Sequence, residues 1–382
     1  MPDTHPTSAT LPSSLLILLP AESGELISHA LDLFTNRMQQ RWNVPCRTLP
    51  AAQIPGQVSE SESVLLLCTG KPEGQNAKIL QTLNLEPPDE PESYLLYCGS
   101  ASAGVPRYLV CAADAHGMLY GLGRLLHNFQ PFSNDLEQPH TEIQIPTTRQ
   151  RGIYFATHFQ NFYEGVPLDI LQETIEELAL WGFNLLFSWF DMSWYPEGFW
   201  DDPTSSGMRM IERLRFIAKT ARACGMRVGT TAIANEGFRS QPPLDLRADP
   251  SVRRGGFYLE SQICPSKPGG MEMILRNRRK VLELLGEVDF YWHWPYDQGG
   301  CGCEQCSSPT GVRWGGKFLE LGQVIADLVR EFNPQAKFIL STWLMDAEEH
   351  AMIEDLCRQG ADWFDGVLYE THTLDDHPLP TL

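Results

Sequence analysis

From Arg151 onward the chain alternates strand-like and helix-like segments, and this alternation constrains the fold more than any other feature. RGIYFATH (151–158) precedes the amphipathic LDILQETIEELALWG (168–182), and FNLLFSWFD (183–191) precedes MRMIERLRFIAKTARACG (208–225). MRVGTTAIANE (226–236) and a Pro- and Gly-rich loop lead to MEMILRNRRKVLELLGEV, and DFYWHWPYD (289–297) leads to GGKFLELGQVIADLVREFNP. AKFILSTWLMD (336–346) is followed by AEEHAMIEDLCRQG and then ADWFDGVLYETH (361–372). Strict βα alternation predicts a parallel sheet with helical crossovers.

The polar residues choose between two such sheets. A doubly wound sheet gathers its ligand at one switch point, usually behind a glycine-rich phosphate loop after the first strand. No such loop follows residues 151–158. Each strand pattern ends instead in a group able to meet a ligand: His158, Asp191, Glu236, Asp297, Asp346, and Glu370 with His372. In a (β/α)8 barrel all strand C-termini open onto one face, and sites are assembled there from several strands. We therefore expect an α/β chain with a (β/α)8-type TIM barrel over residues 149–382, six βα units visible and its C-terminal end incomplete. Two open sheet edges need cover. Either the chain is a fragment, or the small domain or another subunit, as in a homo-oligomer, completes the wall.

Residues 1–148 read as a separate small α/β domain. LLILLP (15–20), SVLLLC (63–68), SYLLYCG (93–99) and RYLVCAA (107–113) are apolar runs of strand length. Glu22 to Trp42 places Leu26, Ile27, Ala30, Leu31, Leu33, Phe34 and Met38 at helical spacing. Asp114 is positioned to cap a second helix, Ala115 to Asn128. GMLYGLG (117–123) superficially looks like a dinucleotide loop but lies inside that helical pattern, without a strand before it, and is set aside.

Composition narrows the function classes. A formal charge of −19 argues against a nucleic-acid partner, because phosphate binding needs clustered Lys and Arg. The apolar run Leu15–Leu19 has no basic segment before it and is too short for a signal peptide or membrane span, so a cytoplasmic location and no membrane partner are expected. The ten cysteines would then be mostly reduced.

Carboxylates on neighbouring strand ends suggest acid/base chemistry, and glycoside hydrolysis commonly uses two, about 5–9.5 Å apart. Asp297, Glu370, Glu236, Asp346 and Asp191 would share one mouth; the plain alternative for any one of them is a helix N-cap or an ion-pair partner. Nine of the ten tryptophans lie after residue 150, with Trp189, Trp294 and Trp343 on or beside strand ends. Indole faces stack on sugar rings, although packing of the barrel top accounts for some of them. Cys301-x-Cys303-x-x-Cys306 admits a structural zinc, with a further group such as His293 as the fourth ligand; the alternative is a loop with idle thiols.

The small domain, its helix DAHGMLYGLGRLL and the RGIYF opening of the barrel together resemble glycoside hydrolases related to family 20 β-N-acetylhexosaminidases and family 67 α-glucuronidases. Those enzymes carry a similar D-x-x-G-x-x-Y-G helix and an Arg-Gly at the first barrel strand. The resemblance implies that Arg151 reaches into the site to bind a sugar hydroxyl or substituent. In family 20 an Asp-Glu pair ends the fourth strand; the matching pair here is Asp297-Gln298, and Gln298 has no proton to donate. The cysteine cluster after that strand is similar to a bacterial family-67-like branch. There Asp297 and Glu370 would be the principal carboxylates, with His293 and Trp343 shaping the pocket.

The expectation is thus a glycoside hydrolase with a carbohydrate substrate and no required cofactor. A catalytically inactive carbohydrate-binding or assembly protein on the same fold is the alternative, and a zinc-dependent hydrolase stands third.

Overall fold

The computed structural model describes residues 12–20, 24–50, 62–99, 106–128, 139–250, 260–297, 300–306 and 314–369. The chain divides into two compact units, one of Met1–Gly152, Gln172–Asn184 and Thr220–Met226, the other of Ile153–Leu171, Leu185–Lys219 and Arg227–Leu382.

The first unit holds a six-stranded sheet of β1 (Ser14–Leu19), β2 (Cys46–Pro50), β3 (Glu62–Thr69), β4 (Tyr94–Cys98), β5 (Tyr108–Ala112) and β6 (His140–Gln144), in the order β2-β1-β3-β5-β4-β6. Its helices are α1 (Glu25–Trp42), α2 (Gly74–Thr82) and α3 (Ala115–His127). The four apolar runs of the sequence become β1, β3, β4 and β5, which are largely buried. The pattern did not show β2 and β6 because both are edge strands with mostly uncovered side chains. Pro50, which lacks an N–H, is tolerated at such an edge. Asp114 caps α3 as expected, accepting from the Gly117 amide at 2.8 Å. The glycines of that helix serve close packing: a Cβ on Gly117 would fall 2.2 Å from the Ser93 carbonyl oxygen, and one on Gly121 2.5 Å from Val110.

The second sheet consists of β7 (Gly152–Phe155), β8 (Leu185–Trp189), β9 (Arg227–Ile233), β10 (Phe290–Trp294), β11 (Lys337–Ser341) and β12 (Gly366–Leu368), in the order β12-β11-β10-β9-β8-β7. Each strand lies beside its predecessor, and pairing from β8 to β12 is parallel. That order is the winding of a barrel wall; a doubly wound sheet would reverse at a switch point. The strands are joined through α4 (Phe162–Gly165), α5 (Leu168–Leu180), α6 (Ser206–Ala223), α7 (Gly270–Leu285), α8 (Gly315–Phe332) and α9 (Ala347–Arg358). The sheet is a curled half-barrel.

Alternation along β10 sorts its aromatic run onto two faces. Phe290, Trp292 and Trp294 face Phe187, Tyr154 and Trp189, with Trp292 and Trp294 stacked at 4.8 Å. Tyr291 and His293 face outward, where Tyr291 stacks on Phe338 of β11 and His293 on Phe318 of α8. No helix among the described residues is long and apolar enough to cross a membrane.

Candidate functional site

His158, Asp191, Glu236, Asp297 and Trp343 all follow the C-terminal ends of their strands, β7 to β11 in turn. Parallel pairing puts those ends on one side of the sheet. The Trp343 indole N–H donates to Asp297 Oδ1 at 2.5 Å, and Trp294 meets Trp343 edge-on with ring centroids 6.2 Å apart. Both Asp297 and Trp343 remain partly open to solvent.

The backbone around these residues is strained. Phe159 and Gln160 (φ +58°), Tyr296 (φ +52°) and Leu344 (φ +53°) occupy the left-handed region without being glycine. Each such residue costs roughly 1–2 kcal/mol and persists only where its surroundings impose it. These four directly follow His158, precede Asp297 and follow Trp343.

Asp191 and Glu236 form a buried acid pair. Asp191 Oδ1 accepts from the Ser193 amide at 3.0 Å and from the Ser193 hydroxyl, capping the 3-10 turn Met192–Trp194. Glu236, 1% exposed, accepts from the amides of Met192 (2.6 Å) and Ile233 (3.3 Å) and from the Trp189 indole (3.3 Å). Burial raises its pKa well above the carboxylate range, and the neighbouring Asp191 charge adds to this, with Arg278 opposing. Burial and the Asp191 charge thus favour the protonated form of Glu236, which is hydrogen-bonded to Asp191. Its other lone pairs are occupied by the three donors, which ties the loop after β8 to the loop after β9.

Sequence reasoning overlooked Tyr296. Burial first, then the carboxyl groups of Asp297, Asp191 and Glu236, raise its pKa, and its ring lies 4.5 Å from Trp294 and 5.3 Å from Trp189. Its position directly before Asp297 was the available signal. His158 is 8% exposed, with its ring 4.8 Å from Trp189. Burial lowers its pKa to about 4, and its Nδ1 has no hydrogen-bond partner among the described residues. Trp189 and Trp294 are buried with ring centroids 5.7 Å apart, and Trp294 in turn meets Trp343.

Other expected site residues lie elsewhere. The Arg151 guanidinium is held by Glu92 (2.6 Å), Gly182 O (2.7 Å) and Thr148 O (2.7 Å), before the N-terminal end of β7. It therefore braces the first unit and is not directed to the strand C-termini. Beside it, a cavity of about 560 Å³ is lined by Glu92, Tyr120, Arg124, Glu142, Arg151 and Trp181, and its charges pair as Arg151–Glu92 and Arg124–Glu142. Asp346 is the N-cap of α9, in a reciprocal capping box with Glu349. The fully buried His293 donates from Nε2 to the Phe318 carbonyl (3.2 Å), on the helix side of β10, and burial lowers its pKa to about 3. It neither shapes the mouth nor approaches the cysteines. Gln298, Glu370 and His372 lie outside the described residues.

Cys301, Cys303 and Cys306 are joined by Cys264 from the loop after β9, with all four sulfurs within 4.8 Å of one another. Cys264 was not singled out in the sequence, because it is distant in the chain and has no motif around it.

No family sequence model matches the chain, and no curated protein is similar to it at the level of sequence. Solved structures are similar to it. A GH20 exo-β-N-acetylglucosaminidase from Vibrio harveyi in complex with N-acetylglucosamine matches with a TM-score of 0.56 and 13% identity, over 95% of this chain and 60% of that one. The fold of this chain is similar to that of these TIM-barrel proteins. The N-acetyl-β-hexosaminidase of Streptomyces plicatus gives a TM-score of 0.57 at 13% identity, over 95% of this chain and 73% of that one. The GH20 β-N-acetylhexosaminidase of Streptomyces coelicolor A3(2) gives 0.56 at 13%, over 94% and 70%. The chain spans less than two-thirds of the Vibrio enzyme's length.

Proposed function

We propose that the chain is a carbohydrate-active protein that hydrolyses a glycosidic bond at the mouth carrying Asp297 and Trp343. The observation that carries this reading is the partly open Asp297 carboxylate, aimed by the Trp343 indole beside Trp294 and flanked by strained backbone. Aromatic faces and hydrogen-bonded carboxylates are what a sugar ring with its hydroxyls requires. The solved glycoside hydrolases of the same fold support this reading.

Asp297 is the carboxyl group assigned to meet the sugar, and Glu370, which follows β12 in the chain, is the proposed proton-donating partner. Glu236 is assigned to positioning, since a carboxyl 1% exposed with three donors upon it is closed to substrate. Turnover of a panel of chromogenic aryl glycosides tests the assignment. At least one should be cleaved, with a loss of about 100-fold or more in Asp297→Asn; equal turnover by variant and wild type refutes the role of Asp297.

A second reading is a saccharide-binding protein without turnover. It is favoured by the closed Glu236 and by Gln298, which has no acidic proton. Calorimetry showing saccharide binding together with no cleavage across the panel selects it.

A further inference from the structure

The loop after β9 and the loop after β10 meet at four thiols. Cys264 Sγ lies 3.7 Å from the sulfurs of both Cys303 and Cys306. With Zn–S bonds of about 2.3 Å, adjacent sulfurs of a tetrahedral site stand ~3.8 Å apart, so these two spacings match a tetrahedron's edge. A disulfide needs about 2.0 Å. Cys264, Cys301 and Cys306 are buried and Cys303 is half-buried, leaving no wide opening to a fifth ligand.

Groups around the sulfurs suit a coordinated thiolate cluster. The Asp249 amide donates to Cys301 Sγ at 3.3 Å, and the Ser266 hydroxyl lies 3.1 Å from Cys306 Sγ. The Lys267 ammonium, held by the Arg247 carbonyl (2.7 Å) and Asp249 Oδ1 (2.8 Å), adds positive charge beside Cys264 and Cys301. Four thiolates around a dication leave two net negative charges, which these donors and this cation stabilise. The loops are also joined by Asn235, whose side chain donates to Ile263 O and Gly300 O and accepts from the Gly300 amide, each at 3.0 Å.

We propose that Cys264, Cys301, Cys303 and Cys306 bind one structural zinc ion, which fastens the two loops together beside the strand end that carries Asp297. Each thiol releases its proton to solvent as its sulfur–metal bond forms, and no electron is transferred. With four protein ligands the ion has no open position for substrate, so it acts as a staple and not as a reaction centre. Neither turnover nor saccharide binding enters the assignment.

Elemental analysis of the full chain, purified without chelator from zinc-supplemented cells, tests it. One zinc per chain is expected. Exchange with cobalt(II) should give the intense visible bands of a tetrahedral thiolate site. Cys264→Ser should lose the zinc and the bands, whereas Cys357→Ser, an exposed cysteine outside the cluster, should keep both. Because Cys264→Ser can fail to fold, thiol titration of the native wild type provides a second reading: four additional thiols should become reactive on treatment with a strong chelator. Metal-free protein, iron in place of zinc, stoichiometric zinc retained by Cys264→Ser, or a thiol count unchanged by chelator each overturns the proposal.

Discussion

Trp343 donates its indole N–H to Asp297 Oδ1, joining the C-terminal ends of the adjacent parallel strands β10 and β11. Hydrogen bonds to a charged group contribute about 1.5–3 kcal/mol, so Trp343→Phe, which keeps an aromatic face and removes the donor, should weaken the site by roughly 10–100-fold. The loss should appear in kcat/KM for a cleaved glycoside, or in saccharide affinity by calorimetry. A variant that keeps full affinity and turnover removes this contact from the site.

Glu236 should separate packing from hydrogen bonding. Its removal in Glu236→Ala orphans the buried N–H groups of Met192, Ile233 and Trp189, and each unsatisfied group costs about 1–3 kcal/mol. Glu236→Gln retains one oxygen, enough for Ile233 and Trp189 on the Oε2 side, but sets its NH2 against the Met192 amide on the other. Urea unfolding at neutral pH should show a loss of roughly 3 kcal/mol or more for the alanine variant and about 1–3 kcal/mol, for the single orphaned donor, in glutamine. Equal losses in both would point to the charge instead of the donors.

The same carboxyl gives a pH signature. Its folded pKa is raised, so its contribution to stability is full below the ordinary value near 4.5 and declines as pH rises toward the folded value. Stability measured from pH 4 upward should therefore fall more steeply in the wild type than in Glu236→Gln. Superimposable profiles would exclude a proton held on Glu236.

His293 titrates in the opposite sense. Burial lowers its pKa to about 3, so the unfolded chain takes up the proton first as pH falls below the ordinary 6.5. The stability it confers is present above that pH and is lost toward the folded value, with a slope approaching about 1.4 kcal/mol per pH unit. His293→Phe, which suits the contacts with Phe318 and Phe338, should flatten the acid limb of the urea midpoint between pH 6 and 4. A variant profile parallel to the wild type refutes this.

Gly117→Ala should destabilise the first unit, because its new methyl group would meet the Ser93 carbonyl oxygen at 2.2 Å. Overpacking typically costs about 1–3 kcal/mol, which a drop in the urea midpoint would reveal. An unchanged midpoint would mean that α3 can shift away from the sheet.

The sequence by itself determined the parallel βα architecture, because hydrophobic period and helix caps act over a few residues and leave a readable pattern. It also placed Asp191, Glu236 and Asp297 at strand C-termini, since polar groups that end apolar runs mark where strands emerge. Tertiary structure alone decided which of them faces outward. Pleat parity turned His293 toward α8 while Trp294 faced inward, and a capping box claimed Asp346. Long-range pairing sent the Arg151 guanidinium to Glu92 and brought Cys264 to the three cysteines after β10. Such partners lie in distant segments, and only the closing of the sheet brings them within reach.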